Sequence, residues 1–175
     1  WTASQVLSPL RVNGPLSAGA INDAVRARRV AAGEVQPHGE LRFGVGDKVI
    51  CTKNLYDVGC LNGDVGIVRE VRTTTRGSRQ VPTDYVIEMT YPKPIVIPVG
   101  SPHLELAYAI TCHKSQGSEW PVVVLPVHRS LGLFPDRTLL YTAMSRAAKL
   151  LVLVGQKDAV TPWVRRATPD ARTTD

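Results

Sequence analysis

The sequence predicts an α/β fold interrupted by a run of short β-strands, and three observations carry that reading. Two apolar runs, residues 107–110 and 122–125, flank a dense polar segment and are bounded by Gly and Pro, as buried strands are. A helical pattern over 138–148 leads into a fully apolar run at 150–154 that Gly155 stops. Between them and the N-terminus, stretches 45–50, 66–71, 84–89 and 95–97 read as four or five short strands at the spacing of a small barrel.

Taken in order, residues 5–8 read as a short strand ending at Pro9, followed by Arg11 and the turn-forming Asn13-Gly14-Pro15. Residues 18–30 carry a helical pattern, with Ala20, Ile21, Ala24 and Val25 apolar and Arg26, Arg28 and Arg29 polar. Gly33 can end that helix. In the barrel stretch, Asn62-Gly63-Asp64 is a strong turn signal, and the polar residues 73–82 read as a loose hairpin. From residue 104 the α/β pattern returns. Residues 129–135 connect, and Asp136 is placed to cap a helix whose Leu139, Leu140, Ala143 and Ala147 share one face. Beyond Pro162 the chain is polar and basic, and residues 166–175 read as a disordered tail.

Composition narrows the classes. The chain has 175 residues, 43% of them hydrophobic, enough to bury a core in one domain or two small ones. A net charge of +6 and a pI near 9.5 favour an anionic partner, nucleic acid first, although charge alone leaves the question open. Cys51, Cys60 and Cys112 are odd in number and form no CxxC pair, which argues against a disulfide framework and fits a reducing cytoplasm. His38, His103, His113 and His128 are scattered, so no structural zinc site is expected. No apolar run approaches the roughly 20 residues that span a bilayer, and there is no signal peptide. The sequence opens on Trp1 rather than Met, which reads as a piece of a longer protein.

The polar segment concentrates chemistry. It offers a cation (Lys114), an anion (Glu119), an amide (Gln116), hydroxyls (Thr111, Ser115, Ser118), an imidazole (His113) and the permissive backbone of Gly117. Loops at the carboxyl ends of α/β strands are where such folds bind ligands, and this mix suits phosphate and ribose better than an apolar ligand.

The run Ala107-Tyr-Ala-Ile-Thr-Cys-His-Lys-Ser-Gln-Gly-Ser-Glu119 resembles motif V of superfamily 1 DNA helicases in its RecD-like, 5′-to-3′ form. Leu139-Leu-Tyr-Thr-Ala-Met-Ser-Arg-Ala-Ala-Lys-Leu-Leu-Val-Leu-Val-Gly155 resembles motif VI of the same branch. The stretch from Val6 to Asn22 is similar, less specifically, to the region around motif IV. Residues 45–68, with Gly46-Asp-Lys-Val, Lys53-Asn-Leu-Tyr-Asp and Leu61-Asn-Gly-Asp-Val-Gly-Ile-Val, look like the Src-homology-3-like barrel inserted into the second motor domain of these enzymes. An independent adaptor barrel would need an aromatic-lined groove, and only Phe43, Tyr56, Tyr85 and Tyr91 are on offer.

The resemblance implies a discontinuous RecA-like second motor domain over 1–40 and 104–165, with the inserted barrel over 41–103. It implies that Arg146 is an arginine finger on the γ-phosphate of ATP, where a planar guanidinium is worth about 10³–10⁵ in rate. Arg11 is a second candidate for the phosphates, weighed evenly against a solvated loop arginine. Lys114, Gln116, Gly117 and Glu119 would line the ATP cleft, with Glu119 near the ribose. Thr111 and His113 would face single-stranded DNA. Lys53 and Asn54 join them, and Lys48, Arg69, Arg72, Arg76 and Arg79 can line a DNA face or simply be solvated. Tyr141 and Thr142 read as interdomain packing.

No GxxxxGK[ST] stretch and no Asp-Glu pair after an apolar strand occur in the sequence. The expectation is therefore that ATP and Mg²⁺ act in the full-length parent, that this chain alone binds neither, and that it does not hydrolyse ATP by itself. Expected partners are single-stranded DNA, the N-terminal RecA-like domain of the parent and, in some relatives, nuclease-complex subunits, with no membrane. Relaxase-helicases share the motifs. The rival class is a non-catalytic nucleic-acid-binding or protein-interaction module that kept the fold.

Overall fold

Strand β1 (Ser4–Ser8) is the centre of an all-parallel sheet, because two later strands settle on either side of it. The structure, a computed structural model, describes residues 3–89, 93–132 and 135–166. The sheet has the order β7-β1-β8-β9, with β7 at Ala109–Thr111, β8 at Trp120–Val127 and β9 at Ala147–Gly155. Register places Ser8 beside Thr111 and Ser4 beside Val122. Leu7, Val123, Leu125 and Val127 are buried, the alternation expected of β-branched and aliphatic residues on a pleated sheet. The apolar run 150–154 differs from its neighbours. It forms most of β9, but at the edge of the sheet, so Leu150, Leu153 and Val154 stay exposed.

Helix α2 (Arg137–Ser145) follows β8. Asp136 caps it, its Oδ1 accepting from the Leu139 N–H at 2.8 Å. The expected helix to residue 148 is corrected here. It ends at Ser145, and Ala147 pairs with Trp120 at the start of β9, so strand pairing overrides the helical spacing of Ala147.

The chain divides into two compact units, one formed by Ala3–Ile21 with the chain from Ala109 onward, the other by Asn22–Tyr108. Helix α1 (Ala18–Ala31) runs across the division, and Gly33 stops it with a φ of 73°. The second unit is built on a five-stranded antiparallel sheet, order β5-β4-β3-β2-β6, from β2 (Lys48–Cys51), β3 (Val65–Arg76), β4 (Arg79–Met89), β5 (Ile95–Pro98) and β6 (Leu104–Leu106). Phe43, Val68, Tyr85, Ile87, Ile97 and Leu104 form its core, with the Phe43 and Tyr85 rings meeting edge to face at 5.5 Å. Gly66 is required where β3 crosses β4, since a Cβ there would come within 2.6 Å of the Ile87 side chain.

Three sequence expectations change in this unit. Residues 73–82 are not a loose hairpin, because β3 and β4 stay paired out to Arg76 and Arg79 around a tight turn at Gly77. Residues 104–106 do not open the α/β segment but pair with β2. Cys51 and Cys60 are joined as a disulfide, because the loop after β2 folds back on itself through paired Leu55 and Cys60 backbone groups. The argument for a reducing compartment from unpaired cysteines therefore falls. Tyr91 and residues 167–175 lie outside the described residues.

Asp47 anchors this unit from inside. Fully buried, its carboxylate accepts from Arg26 Nε at 2.9 and 3.1 Å, from the Tyr108 hydroxyl at 2.8 Å and from the Gly44 N–H at 2.8 Å. The Arg29 guanidinium lies 5.4 Å from the centre of the Tyr108 ring.

Candidate nucleotide and nucleic-acid site

The polar segment is a short crossover between parallel strands, and that topology spreads its residues over two edges of one sheet. It leaves β7 at Thr111, level with the carboxyl end of β1. It enters β8 at Trp120, level with the start of β9. Its first half is a knot of local bonds. Thr111 is buried, and its Oγ1 accepts from the Lys114 N–H at 3.3 Å. Ser115, also buried, donates its hydroxyl to the Cys112 carbonyl at 2.6 Å. The Cys112 N–H bonds the Ser8 carbonyl at 3.1 Å and ties the turn to β1. Gly117 takes a φ of 84°, the left-handed conformation that suits glycine.

At the other edge sits Arg146. It is the C-cap residue of α2, and its Nη1 donates to the Ser118 carbonyl at 3.1 Å while Nε and Nη2 reach Ser145 Oγ at 3.3 and 3.2 Å. Its own carbonyl accepts from the Trp120 N–H at 2.9 Å. The crossover and the end of α2 are thus clamped together at Ser118 and Trp120, beside exposed Glu119.

The opposite end of α2 forms a pocket of about 380 Å³ with the first half of the crossover, lined by Cys112, His113, Gln116, Asp136, Thr138, Leu139 and Thr142. Expected in separate roles, Gln116 in the ATP cleft and His113 on DNA, these two share one cavity. Sequence reasoning missed Asp136, Thr138 and Thr142 as lining residues. The available signal was a capping Asp at a helix that starts beyond the carboxyl end of a parallel strand. Burial pushes the Cys112 thiol up to about 12, so it stays protonated.

The remaining candidates are spread through the chain. Arg11 is exposed after β1, and its carbonyl accepts from the Gly19 N–H at 3.2 Å. Lys114 is half-buried. Lys53 and Asn54 are exposed on the loop after β2, where Asn54 donates to the Tyr56 hydroxyl at 2.9 Å and accepts from the Asn62 N–H at 2.8 Å. Lys48 is a correction, because it is 1% exposed and cannot line a DNA face. Burial, with the Arg29 charge second, lowers its pKa from 10.5 to about 8. Arg69 pairs with Glu88 at 2.6 Å, whereas Arg76 and Arg79 are exposed at the hairpin tip.

The UvrD-like helicase C-terminal domain family matches residues 106–154. The ATP-dependent RecD2 DNA helicase of Deinococcus radiodurans is 33% identical over 168 residues, covering 90% of this chain and 21% of that protein. The RecBCD enzyme subunit RecD of Haemophilus influenzae is 28% identical over 70% of this chain and 17% of its own length. A Pif1 helicase from Bacteroides, solved with ADP-AlF3 and single-stranded DNA, shares the fold with a TM-score of 0.63 at 17% identity, over 94% of this chain and 42% of that one. The family match and these relatives identify the chain with the C-terminal region of superfamily 1 helicases. Within that class the chain belongs with the RecD-like helicases and corresponds to their C-terminal part. It spans about a fifth or less of the length of the curated relatives it matches.

Proposed function

We propose that this chain is the second motor segment of an ATP-dependent 5′-to-3′ DNA helicase. It supplies Arg146 as the arginine finger, Lys114, Gly117 and Glu119 as part of the nucleotide cleft, and Thr111 and His113 as part of a single-stranded DNA track. In this reading the antiparallel sheet is the inserted Src-homology-3-like barrel, with Lys53 and Asn54 adding contacts to the strand. Arg11 is the second cation for the phosphates. The observation that carries the reading is the clamp between Arg146 and the crossover. The guanidinium is anchored at the Ser118 carbonyl, and the same crossover begins at Thr111 on the other sheet edge. A strand that shifts the first half of the crossover therefore pulls on the residues that hold the finger.

ATP is the substrate of that parent, and its phosphoryl transfer calls for Mg²⁺. Among the described residues no group of three His, Cys, Asp or Glu side chains can hold a metal ion. In this reading the chain supplies a delocalised cation, Arg146, at the transferring phosphoryl and a carboxylate, Glu119, able to accept from ribose hydroxyls. The cytoplasm is the compartment where such an enzyme meets DNA, and no helix among the described residues is long and apolar enough to cross a membrane.

Arg146→Ala in the full-length parent tests the reading. The expected result is a loss of about 10³-fold or more in DNA-stimulated ATP hydrolysis with DNA affinity kept. Unchanged hydrolysis would overturn the finger assignment. A wild-type parent with DNA binding and no hydrolysis would instead favour the non-catalytic module.

A further inference from the structure

We propose that the pocket between the first half of the crossover and the start of α2 is a binding site for a single uncharged nucleobase, favouring bases that carry amino hydrogens. The pocket lies wholly within the parallel-sheet unit. Its volume of about 380 Å³ falls in the range of small-ligand sites, roughly 300–1,000 Å³.

Charge selects the ligand class. Among the described residues no Lys or Arg lines the cavity. Asp136 stands at its rim and already satisfies the Leu139 N–H at the helix start, so a phosphate would meet a carboxylate instead of free amide donors. A metal is disfavoured too. Cys112, His113 and Asp136 all line the cavity, yet among the described residues they form no cluster that could hold an ion. The wall is apolar where Leu139 and Cys112 are buried, 8% and 2% exposed, and this suits the face of a flat ring. The rim is polar, and no hydrogen bond among the described residues engages the Gln116 amide or the His113 ring. A flat neutral heterocycle can lie on Leu139, take the Gln116 amide on its edge, and direct amino hydrogens at Asp136. Thymine offers a single ring N3–H in place of an amino group, so it brings fewer donors to the carboxylate.

Whether the base belongs to a strand or to a free nucleotide is a matter of source, and only the strand source rests on the function proposed above. The test uses this chain with fluorescently labelled oligonucleotides of equal length, one of mixed A and C, one of thymidine alone, and one abasic throughout. Anisotropy is read at low and moderate salt, and adenosine is titrated separately by amide shift mapping. The proposal expects the A/C strand to bind about tenfold more tightly than the abasic strand, with that advantage lost in Gln116→Ala and in the pocket-filling Thr142→Phe. Equal, salt-sensitive binding of all three strands would overturn the base pocket and leave the DNA reading standing. No strand binding, with adenosine shifting the amides of His113, Gln116 and Thr142, would assign the pocket to free nucleotides and overturn the DNA track. Neither strand nor adenosine binding overturns both. An unchanged fold in the Thr142→Phe variant is checked by its amide spectrum. Asp136→Asn, which keeps the cap acceptor, is the second variant and should narrow the preference for amino-bearing bases over thymidine.

Discussion

The molecule holds two polar clusters of opposite character. Around Asp47 every partner is internal: Arg26, Tyr108 and the Gly44 N–H converge on a carboxylate with no exposed surface. Around His113 and Gln116 the polar groups face a cavity, while the bonds that shape the turn are made by Thr111, Ser115 and the backbone. The difference separates architecture from recognition. Buried charge that is fully satisfied holds one unit together, whereas polar side chains spared from the local bonding are available to a ligand.

That contrast is broken most directly at Asp47. Asp47→Ala leaves Arg26 without its partner, and loss of one member of a buried pair costs about 3–5 kcal/mol. Urea denaturation should show that loss, and a change below 1 kcal/mol would mean the cluster is not a structural anchor. Tyr108→Phe removes one donor to the same carboxylate, and about 1–2 kcal/mol is expected in the same measurement. Lys48 sharpens the comparison through pH. Its folded pKa lies near 8, below the ordinary value of 10.5, so the unfolded chain holds the extra proton between those values. Stability owed to Lys48 therefore rises as pH climbs through that window. Tyr85, Tyr108 and Cys112, all shifted up by burial, act in the opposite direction at high pH. The clean readout is the stability of wild type relative to Lys48→Met, which should improve from pH 8 to 10. A flat difference would refute the shift. The smallest effect belongs to the open cluster, where Gln116→Ala should move stability by no more than about 0.5 kcal/mol. A larger loss would make Gln116 a structural residue.

Much of this was legible in the chain. The apolar spacing of 18–30 marks α1 within a residue, and Asp136 marks the start of α2. The structure brings the Arg146 guanidinium to the Ser118 carbonyl, a contact between two motif segments that neither segment shows by itself. What stayed hidden has physical reasons. Residues 71–80 are exposed on both faces apart from Val71, so the outer half of the β3–β4 hairpin carries no hydrophobic alternation to read. Ala147 fits a helix by spacing and a strand by pairing, and only the presence of β8 decides. The Cys51–Cys60 pairing depends on the fold-back of the loop after β2, which spacing cannot show. The pocket exists because α2 packs its first turns against a segment some twenty residues earlier in the chain, a relation that no local pattern encodes.

The placement of β1 sets a timetable for synthesis. It is made before the other strands of its sheet, yet its neighbours are β7 and β8, and Val6 meets Ala109 only roughly a hundred residues later. At about 5–20 residues per second, a ribosome leaves β1 waiting several seconds before either partner emerges. The antiparallel unit is complete before then, so it can fold first and bring the two ends of its own segment into place, shortening the loop that β7 and β8 must close.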